Sequence, residues 1–125
     1  MTTDAVLLID DDHDVAFGAS LRLRAAGYET LTANDGHEGI DVARKRHPAA
    51  IVLDVRMPRM NGLVVLANLQ HDQRTKDIPI VMLSASLVDK QAALDAGARY
   101  FLTKPYQPSN LVMAVGKVIA ENVHV

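Results

Sequence analysis

Five polar residues stand where predicted strands end, and together they could carry out phosphoryl-transfer chemistry. In chain order they are Asp10, Asp11, Asp54, Ser84 and Lys104. A carboxylate can act as the nucleophile toward a phosphoryl group, while a divalent cation and a lysine neutralise the oxygens of that group. A serine hydroxyl can donate a further hydrogen bond. This chemistry requires the chain to bring all five side chains to one place.

The segments that precede these residues are predicted strands. We predict strands over residues 5–9, 28–33, 51–53, 79–83 and 99–103. The first, third and fourth are continuous apolar runs, which are typical of strands buried on both faces of a parallel sheet. The second alternates between polar and apolar residues, as a half-exposed strand does.

Helices are predicted between the strands, with recognisable start and stop signals. They cover residues 15–26, 63–69, 89–96 and 111–119, and another runs from the capping-box pair Asp35 and Glu38 to a basic turn at 44–46. An acidic start and a basic end both suit the helix dipole. The inward residues of the first helix are predicted to be Val15, Leu21, Leu23 and Ala25. Gly27 and Gly97 are expected to terminate the first and fourth helices.

Strand and helix thus alternate about five times with short links, which predicts an α/β domain. We expect one domain over residues 1–125, with a parallel sheet and right-handed crossovers. The strands of a parallel sheet all point one way, so their carboxyl ends open onto one edge, where such sheets bind ligands. The five polar residues are expected to meet at that edge.

Electrostatics then predicts a bound cation. Three carboxylates about 5 Å apart would repel one another by roughly 3 kcal/mol per pair at an effective dielectric constant near 20. A cation can compensate that repulsion. An all-oxygen ligand set favours Mg²⁺ or Mn²⁺ over zinc.

The composition excludes several other classes of protein. The 125 residues are 49% hydrophobic and 22% charged with a net charge of −2, so direct nucleic-acid binding is not expected. The absence of cysteine excludes disulfides, thiol catalysis and cysteine-based zinc sites. The sequence shows neither a signal peptide nor an apolar run long enough to cross a membrane, so a cytoplasmic location is expected.

The same residues also match a known family in order and spacing. They are Asp10-Asp11, Asp54 with Met57-Pro58 and Gly62, Ser84-Ala85 and Lys104-Pro105. This set resembles the receiver domain of two-component response regulators, and the resemblance covers the whole chain. It implies a single doubly wound, flavodoxin-like (βα)5 domain with the strand order 2-1-3-4-5.

The resemblance also implies a role for each residue of the site. Asp54 would accept a phosphoryl group from the phosphohistidine of a histidine kinase or phosphotransfer protein. Mg²⁺ would be the cofactor, bound directly by Asp11 and Asp54, through water by Asp10, and by the backbone carbonyl of Arg56. Lys104 would bind a phosphoryl oxygen, and its bond to the following proline is typically cis in the family.

The switch implied by the family involves Ser84 and Phe101. Ser84 would move toward the phosphoryl group, and the aromatic ring of Phe101 would turn into the space that Ser84 leaves. The output face would consist of the last two helices and the strand between them, and it would control a partner protein or an output domain outside this chain. Catalysis would be limited to the domain's own phosphorylation and dephosphorylation, so the chain is not expected to be an enzyme.

Four alternative interpretations compete with this one. A phosphatase of the haloacid-dehalogenase type could use Asp10 as the nucleophile together with Asp12, but Asp54 would then have no role. A flavodoxin needs a phosphate-binding loop where this chain has aspartates, which would repel the phosphate. A calcium loop needs a glycine and a glutamate at the positions that Val15 and Leu21 occupy here. A pseudo-receiver would lack part of the site, and nothing is missing here.

Three features depart from the usual pattern of the family. Asn61 replaces an aspartate that often precedes the glycine, and we expect this change to be neutral. The segment between Ser84 and Lys104 is slightly short, which affects the output face. We also expect the long side chain of Arg56 to cover the acyl phosphate and slow its hydrolysis. In the family, two positions flank the path of the water molecule that hydrolyses the acyl phosphate, and here they are Arg56 and Ser86.

Overall fold

Strands and helices alternate along the computed structural model, which describes residues 4–122. The strands are β1 (Ala5–Ile9), β2 (Glu29–Ala33), β3 (Ala50–Asp54), β4 (Ile80–Ser84) and β5 (Tyr100–Thr103). The helices are α1 (His13–Ala25), α2 (Gly36–Arg46), α3 (Gly62–Gln70), α4 (Val88–Asp95) and α5 (Pro108–Glu121). Each predicted element is therefore found, with ends that differ from the prediction by at most a few residues.

The five strands form one parallel sheet in the order β2-β1-β3-β4-β5. This is the order that the family resemblance implied. The register places the carboxyl ends level with one another, because Ile9 pairs with Leu53 and Ser84 pairs with Thr103. Residues that follow these pairs therefore emerge at one edge of the sheet.

Apolar side chains cover both faces of the central strands. In β3, Ile51 and Leu53 pack into one buried cluster, whereas Ala50 and Val52 pack into the other. The first cluster includes residues of α2 and α3, and the second includes residues of α1 and α5. Burial of a large aliphatic side chain is worth about 1.5–3 kcal/mol, so these continuous apolar runs fix the strands between two helical layers.

The inward face of α1 differs from the prediction. Its buried residues are Ala16, Ser20 and Leu23. Val15 and Leu21 are 39% and 47% exposed, and Ala25 is also exposed. The prediction was right for Leu23 and wrong for the other three, because the rest of the buried face consists of the small residues Ala16 and Ser20. Ser20 fits this face because its hydroxyl makes a 2.6 Å hydrogen bond with the hydroxyl of Thr30.

The ends of the helices follow local rules of capping. The carboxylate of Asp35 accepts a 2.8 Å hydrogen bond from the N–H of Glu38, which is one of the two hydrogen bonds of the predicted capping box. Gly27 and Gly97 have φ of 100° and 113°, which confirms both predicted terminators. Helix α5 begins earlier than predicted because Pro108 suits the first turn of a helix. Within residues 4–122, none of the helices is long and apolar enough to cross a membrane.

Asn61 caps helix α3. This is the position at which an aspartate is common in the family, and we expected the change to asparagine to be neutral. Its side-chain oxygen accepts a 2.7 Å hydrogen bond from the N–H of Leu63. We expect Asn61→Ala to lower the free energy of unfolding by about 1 kcal/mol, because that N–H loses its partner. The control is Asn61→Asp, which keeps an acceptor and should stay near wild type. Urea denaturation measures both variants, and equal stability of the alanine variant and wild type would contradict the capping role.

Candidate functional site

Three carboxylates meet at the carboxyl edge of the sheet. Asp10 and Asp11 follow β1, and Asp54 ends the neighbouring strand β3. One oxygen of each lies within 4.8 Å of an oxygen of the other two. Asp10 and Asp54 are each 6% exposed, whereas Asp11 is exposed to solvent. The structure thus brings together the acidic residues that the sequence predicted to meet.

Lys104 supplies the positive charge of the site. Its Nζ lies 3.2 Å from Oδ1 of Asp54 and 3.9 Å from Oδ2 of Asp10. The Lys104–Pro105 peptide bond is cis, as the family resemblance implied. The ammonium group therefore faces the two buried carboxylates at the mouth of the site.

The two buried carboxylates are only partly compensated. Burial raises the pKa of Asp54, and the charge of Lys104, its hydrogen bond and a backbone hydrogen bond from Arg56 offset this only in part. Burial also raises the pKa of Asp10, and the nearby charge of Asp54 adds to the increase, while a hydrogen bond from the backbone of Asp12 opposes it. A second cation would stabilise the ionised forms, and carboxylate oxygens are ligands that Mg²⁺ prefers. The residues present therefore fit a magnesium ion.

Ser84 lies at the same edge, but its hydroxyl donates to Asp89 and not to Asp54. The side chain is fully buried, and Oγ donates a 2.6 Å hydrogen bond to Oδ2 of Asp89. The same Oγ accepts a 3.1 Å bond from the N–H of Ser86. In this state the hydroxyl is therefore held by the start of helix α4.

Arg56 is held by the same aspartate. Its guanidinium donates two hydrogen bonds to Asp89, from Nε at 3.0 Å and from Nη2 at 3.1 Å. The Arg56 side chain is 63% exposed, and Asp89 is 7% exposed. The hydrogen bond from Ser84 and then those from Arg56 lower the pKa of Asp89, which is therefore ionised. The guanidinium that we expected to cover the phosphoryl group is directed at α4 here.

Nothing in the sequence marks Asp89 as a residue of the site. An acidic residue in the first turn of a helix usually reflects the helix dipole, so its type and position carried no special signal. Its distance of five positions from Ser84 was visible in the sequence. That Asp89 also contacts Arg56, in the loop after β3, becomes evident only in three dimensions.

The aromatic residues Phe101 and Tyr106 lie on β5 and shortly after it, respectively. Phe101 is 8% exposed and belongs to the buried cluster that also holds Met82 and Ala93, so its ring is already inside the protein here. Its role as a switch stays a prediction. Tyr106 is half-buried, and burial followed by the charges of Asp10 and Asp54 raises its pKa.

Asp12 has a structural role instead. Its carboxylate caps helix α1 by accepting hydrogen bonds from the N–H groups of Asp14 and Val15 at 3.0 and 3.2 Å. Within residues 4–122, the group of side chains able to hold a metal is Asp10, Asp11 and Asp54, without Asp12. This arrangement disfavours both the phosphatase and the calcium-loop interpretations, since each assigns a ligand or catalytic role to Asp12.

Gly62 allows the loop after β3 to close on the site. A Cβ atom there would collide with the backbone carbonyl oxygen of Asp54 and lie 2.8 Å from Cα of Val55. The N–H of Gly62 donates a 2.7 Å hydrogen bond to the carbonyl of Val55. Helix α3 can therefore begin directly against the strand that carries Asp54 only if its first residue has no side chain.

Comparisons with known proteins agree with this architecture. The family model of the response regulator receiver domain matches residues 6–116. The transcriptional regulatory protein PrrA of Mycobacterium tuberculosis is 40% identical over 117 residues, which are 92% of this chain and 49% of PrrA. This chain spans about half the length of the curated relatives it matches.

Solved structures show the same fold along nearly all of the chain. A putative response regulator from Chloroflexus aurantiacus is 35% identical with a TM-score of 0.91, and the match covers 95% of this chain and 99% of that one. Chemotaxis protein CheY4 of Vibrio cholerae is 34% identical with a TM-score of 0.87, and the match covers 94% and 99% of the two chains. The fold and the acidic edge define a signalling domain of the α/β class. The chain belongs to the response regulator receiver domains.

Proposed function

We propose that this domain is a phosphorylation-activated switch in which Asp54 accepts a phosphoryl group from a phosphohistidine. The observation that carries the proposal is the position of Asp54, which is buried beside Asp10 and Asp11 with Nζ of Lys104 at 3.2 Å. This combination offers a nucleophilic oxygen, a cation-binding pair and a fixed positive charge in one place. The receiver domain would extend over residues 1–125.

The proposed phosphoryl transfer is a single displacement at phosphorus. An oxygen of Asp54 forms the new P–O bond while the P–N bond of a protonated phosphohistidine breaks, and neutral imidazole leaves with the electron pair. Lys104 pairs with a phosphoryl oxygen, since it already faces Asp54. Asp10, Asp11, Asp54 and the carbonyl of Arg56 would hold Mg²⁺, which supplies neutralisation of phosphoryl charge. Water later hydrolyses the acyl phosphate, so catalysis is limited to the domain's own modification.

The donor would be a sensor histidine kinase or a phosphotransfer protein, acting in the cytoplasm, where ATP supplies the phosphoryl group. The output surface would be formed by α4, β5 and α5. It exposes Leu87 (67%) and Val88 (83%) at the start of α4 and Met113 (59%) on α5, which suits a protein partner. Neither nucleic acid nor a membrane is proposed as a direct partner. The partner is a separate effector or an output domain outside these residues.

Lys104→Ala should separate phosphorylation from the response. Labelling by acetyl phosphate with Mg²⁺ should become slower but persist, because Asp54 and the metal ligands remain. The conformational change at Ser84 and α4 should be lost, because the phosphoryl group loses its fixed cationic partner. Amide NMR spectra with beryllofluoride, a phosphoryl mimic, report the response. Lys45→Ala, an exposed change near the end of α2, is the control, and a full response in the Lys104 variant would contradict this role.

The proposed function is tested by locating the modified residue. The protein is incubated with acetyl phosphate and Mg²⁺, the acyl phosphate is reduced with borohydride, and the reduced residue is identified by peptide mass spectrometry. Reduction at Asp54 is expected. Reduction at Asp10 would instead support a phosphatase of the haloacid-dehalogenase type, and the absence of any modified aspartate would contradict both functions.

A further inference from the structure

We propose that Asp89 is a latch that holds the unphosphorylated state by binding Ser84 and Arg56. The inference rests on the proposed function, since it concerns how phosphorylation of Asp54 reaches helix α4. Asp89 accepts hydrogen bonds from Ser84 Oγ at 2.6 Å and from Arg56 Nε and Nη2 at 3.0 and 3.1 Å. Both of its carboxylate oxygens are therefore engaged.

One partner of Asp89 comes from the loop that follows the modified residue, and the other comes from the end of the neighbouring strand. Arg56 lies two residues after Asp54, and Ser84 ends the neighbouring strand β4. Asp89 itself belongs to the first turn of α4. One carboxylate thus links the loop after β3, the end of β4 and the start of α4. An ordinary helix-dipole aspartate would have no reason to contact both that loop and that strand end.

Helix α4 depends on this network for its position. Its buried residues are Asp89 and Ala93, and the side chain of its N-cap residue, Leu87, makes no capping hydrogen bond. The neighbouring Val88 is 83% exposed. The N–H of Val88 donates a 3.3 Å hydrogen bond to Oγ of the preceding Ser86. Beyond this local contact, the start of α4 is attached to the domain through the charged side chain of Asp89 and its two donors rather than through apolar packing.

Phosphorylation competes directly with this latch. A phosphoaspartate carries nearly two negative charges and three acceptor oxygens, by analogy with phosphoserine. The Ser84 hydroxyl has a single proton to donate, so a bond to the phosphoryl group requires loss of the bond to Asp89. The guanidinium of Arg56 is drawn toward the same added charge. Asp89 is then left as a buried charge without its donors, which is unfavourable and drives the start of α4 toward solvent.

The latch predicts that removal of Asp89 favours the active state. In Asp89→Ala, beryllofluoride with Mg²⁺ should bind roughly tenfold more tightly than to wild type, within the 5- to 150-fold range typical of coupled sites. The affinity for Mg²⁺ alone should be unchanged. Asp89→Asn, which keeps an acceptor for Ser84 but loses the charge, should give a smaller gain and serves if the alanine variant does not fold. The matched control is Asp95→Ala, an exposed aspartate on the same helix that contacts Gln91.

A triple variant, compared with its double-variant background, distinguishes the latch from a general loosening of the protein. In a Ser84→Ala, Arg56→Ala background, Asp89→Ala should no longer tighten beryllofluoride binding, because the latch has no partners left to release. If wild type binds beryllofluoride and Asp89→Ala binds it equally or more weakly, the latch is wrong while the proposed function stands. If wild type itself fails to bind beryllofluoride with Mg²⁺, the proposed function fails and the latch with it.

Discussion

Replacing Asp54 with asparagine should abolish labelling of the protein by acetyl phosphate in the presence of Mg²⁺. The amide has nearly the same shape as the carboxylate but is not a nucleophile toward phosphorus, so the site stays intact while the reaction stops. Labelling of wild type should also stop when EDTA removes the metal, because the phosphoryl charge is then opposed only by Lys104. Intact-protein mass spectrometry measures both results.

The control for this experiment is another aspartate close to the site. Asp12→Asn should be labelled as wild type is, because Asp12 caps α1 and asparagine caps helices equally well. Full labelling of the Asp54→Asn variant would overturn the assignment of the acceptor. Loss of labelling in the Asp12 variant would show that the metal site extends beyond Asp10, Asp11 and Asp54.

Gly62→Ala should destabilise the domain by about 3 kcal/mol, the upper end for overpacked sites. The added methyl group meets the backbone of Asp54 and Val55, which cannot move aside as a side chain can. The displaced carboxyl end of β3 should also slow phosphorylation. Urea denaturation and the rate of labelling by acetyl phosphate measure the two effects.

Gly18→Ala provides the matched control. Gly18 lies within helix α1, and a Cβ atom there would have no neighbour within 4 Å. Alanine should therefore stabilise the domain by up to about 1 kcal/mol through helix propensity. If Gly62→Ala were as stable as wild type, the close approach of α3 to β3 would not be required for the fold.

The strands and the acidic edge could be predicted from the sequence because their physical causes are visible in it. Strands buried on both faces must be apolar at every position, and the 51–53 run shows this directly. The parallel arrangement then places the residues after the strands at one edge. The structure brings Asp10, Asp11 and Asp54 within reach of one metal ion for this reason.

Other features depended on partners that the sequence does not reveal. The inward face of α1 is made of Ala16, Ser20 and Leu23, and a buried serine is acceptable only because Thr30 supplies its hydrogen bond. The proposed role of Asp89 likewise depends on Arg56 and Ser84, which lie in other parts of the chain. Hydrogen-bonded polar groups inside a fold are therefore harder to predict than apolar ones, since each needs a specific partner.

We expect the carboxylates at the sheet edge to bind Mg²⁺ and to prepare Asp54 for a phosphoryl group that acts on α4. Amide NMR spectra recorded first with Mg²⁺ and then with added beryllofluoride test this directly. We expect Mg²⁺ to shift the amides of residues 10–12 and 54–57, and beryllofluoride to extend the changes to residues 84–89 and to Phe101. Spectra that neither addition alters would contradict the account.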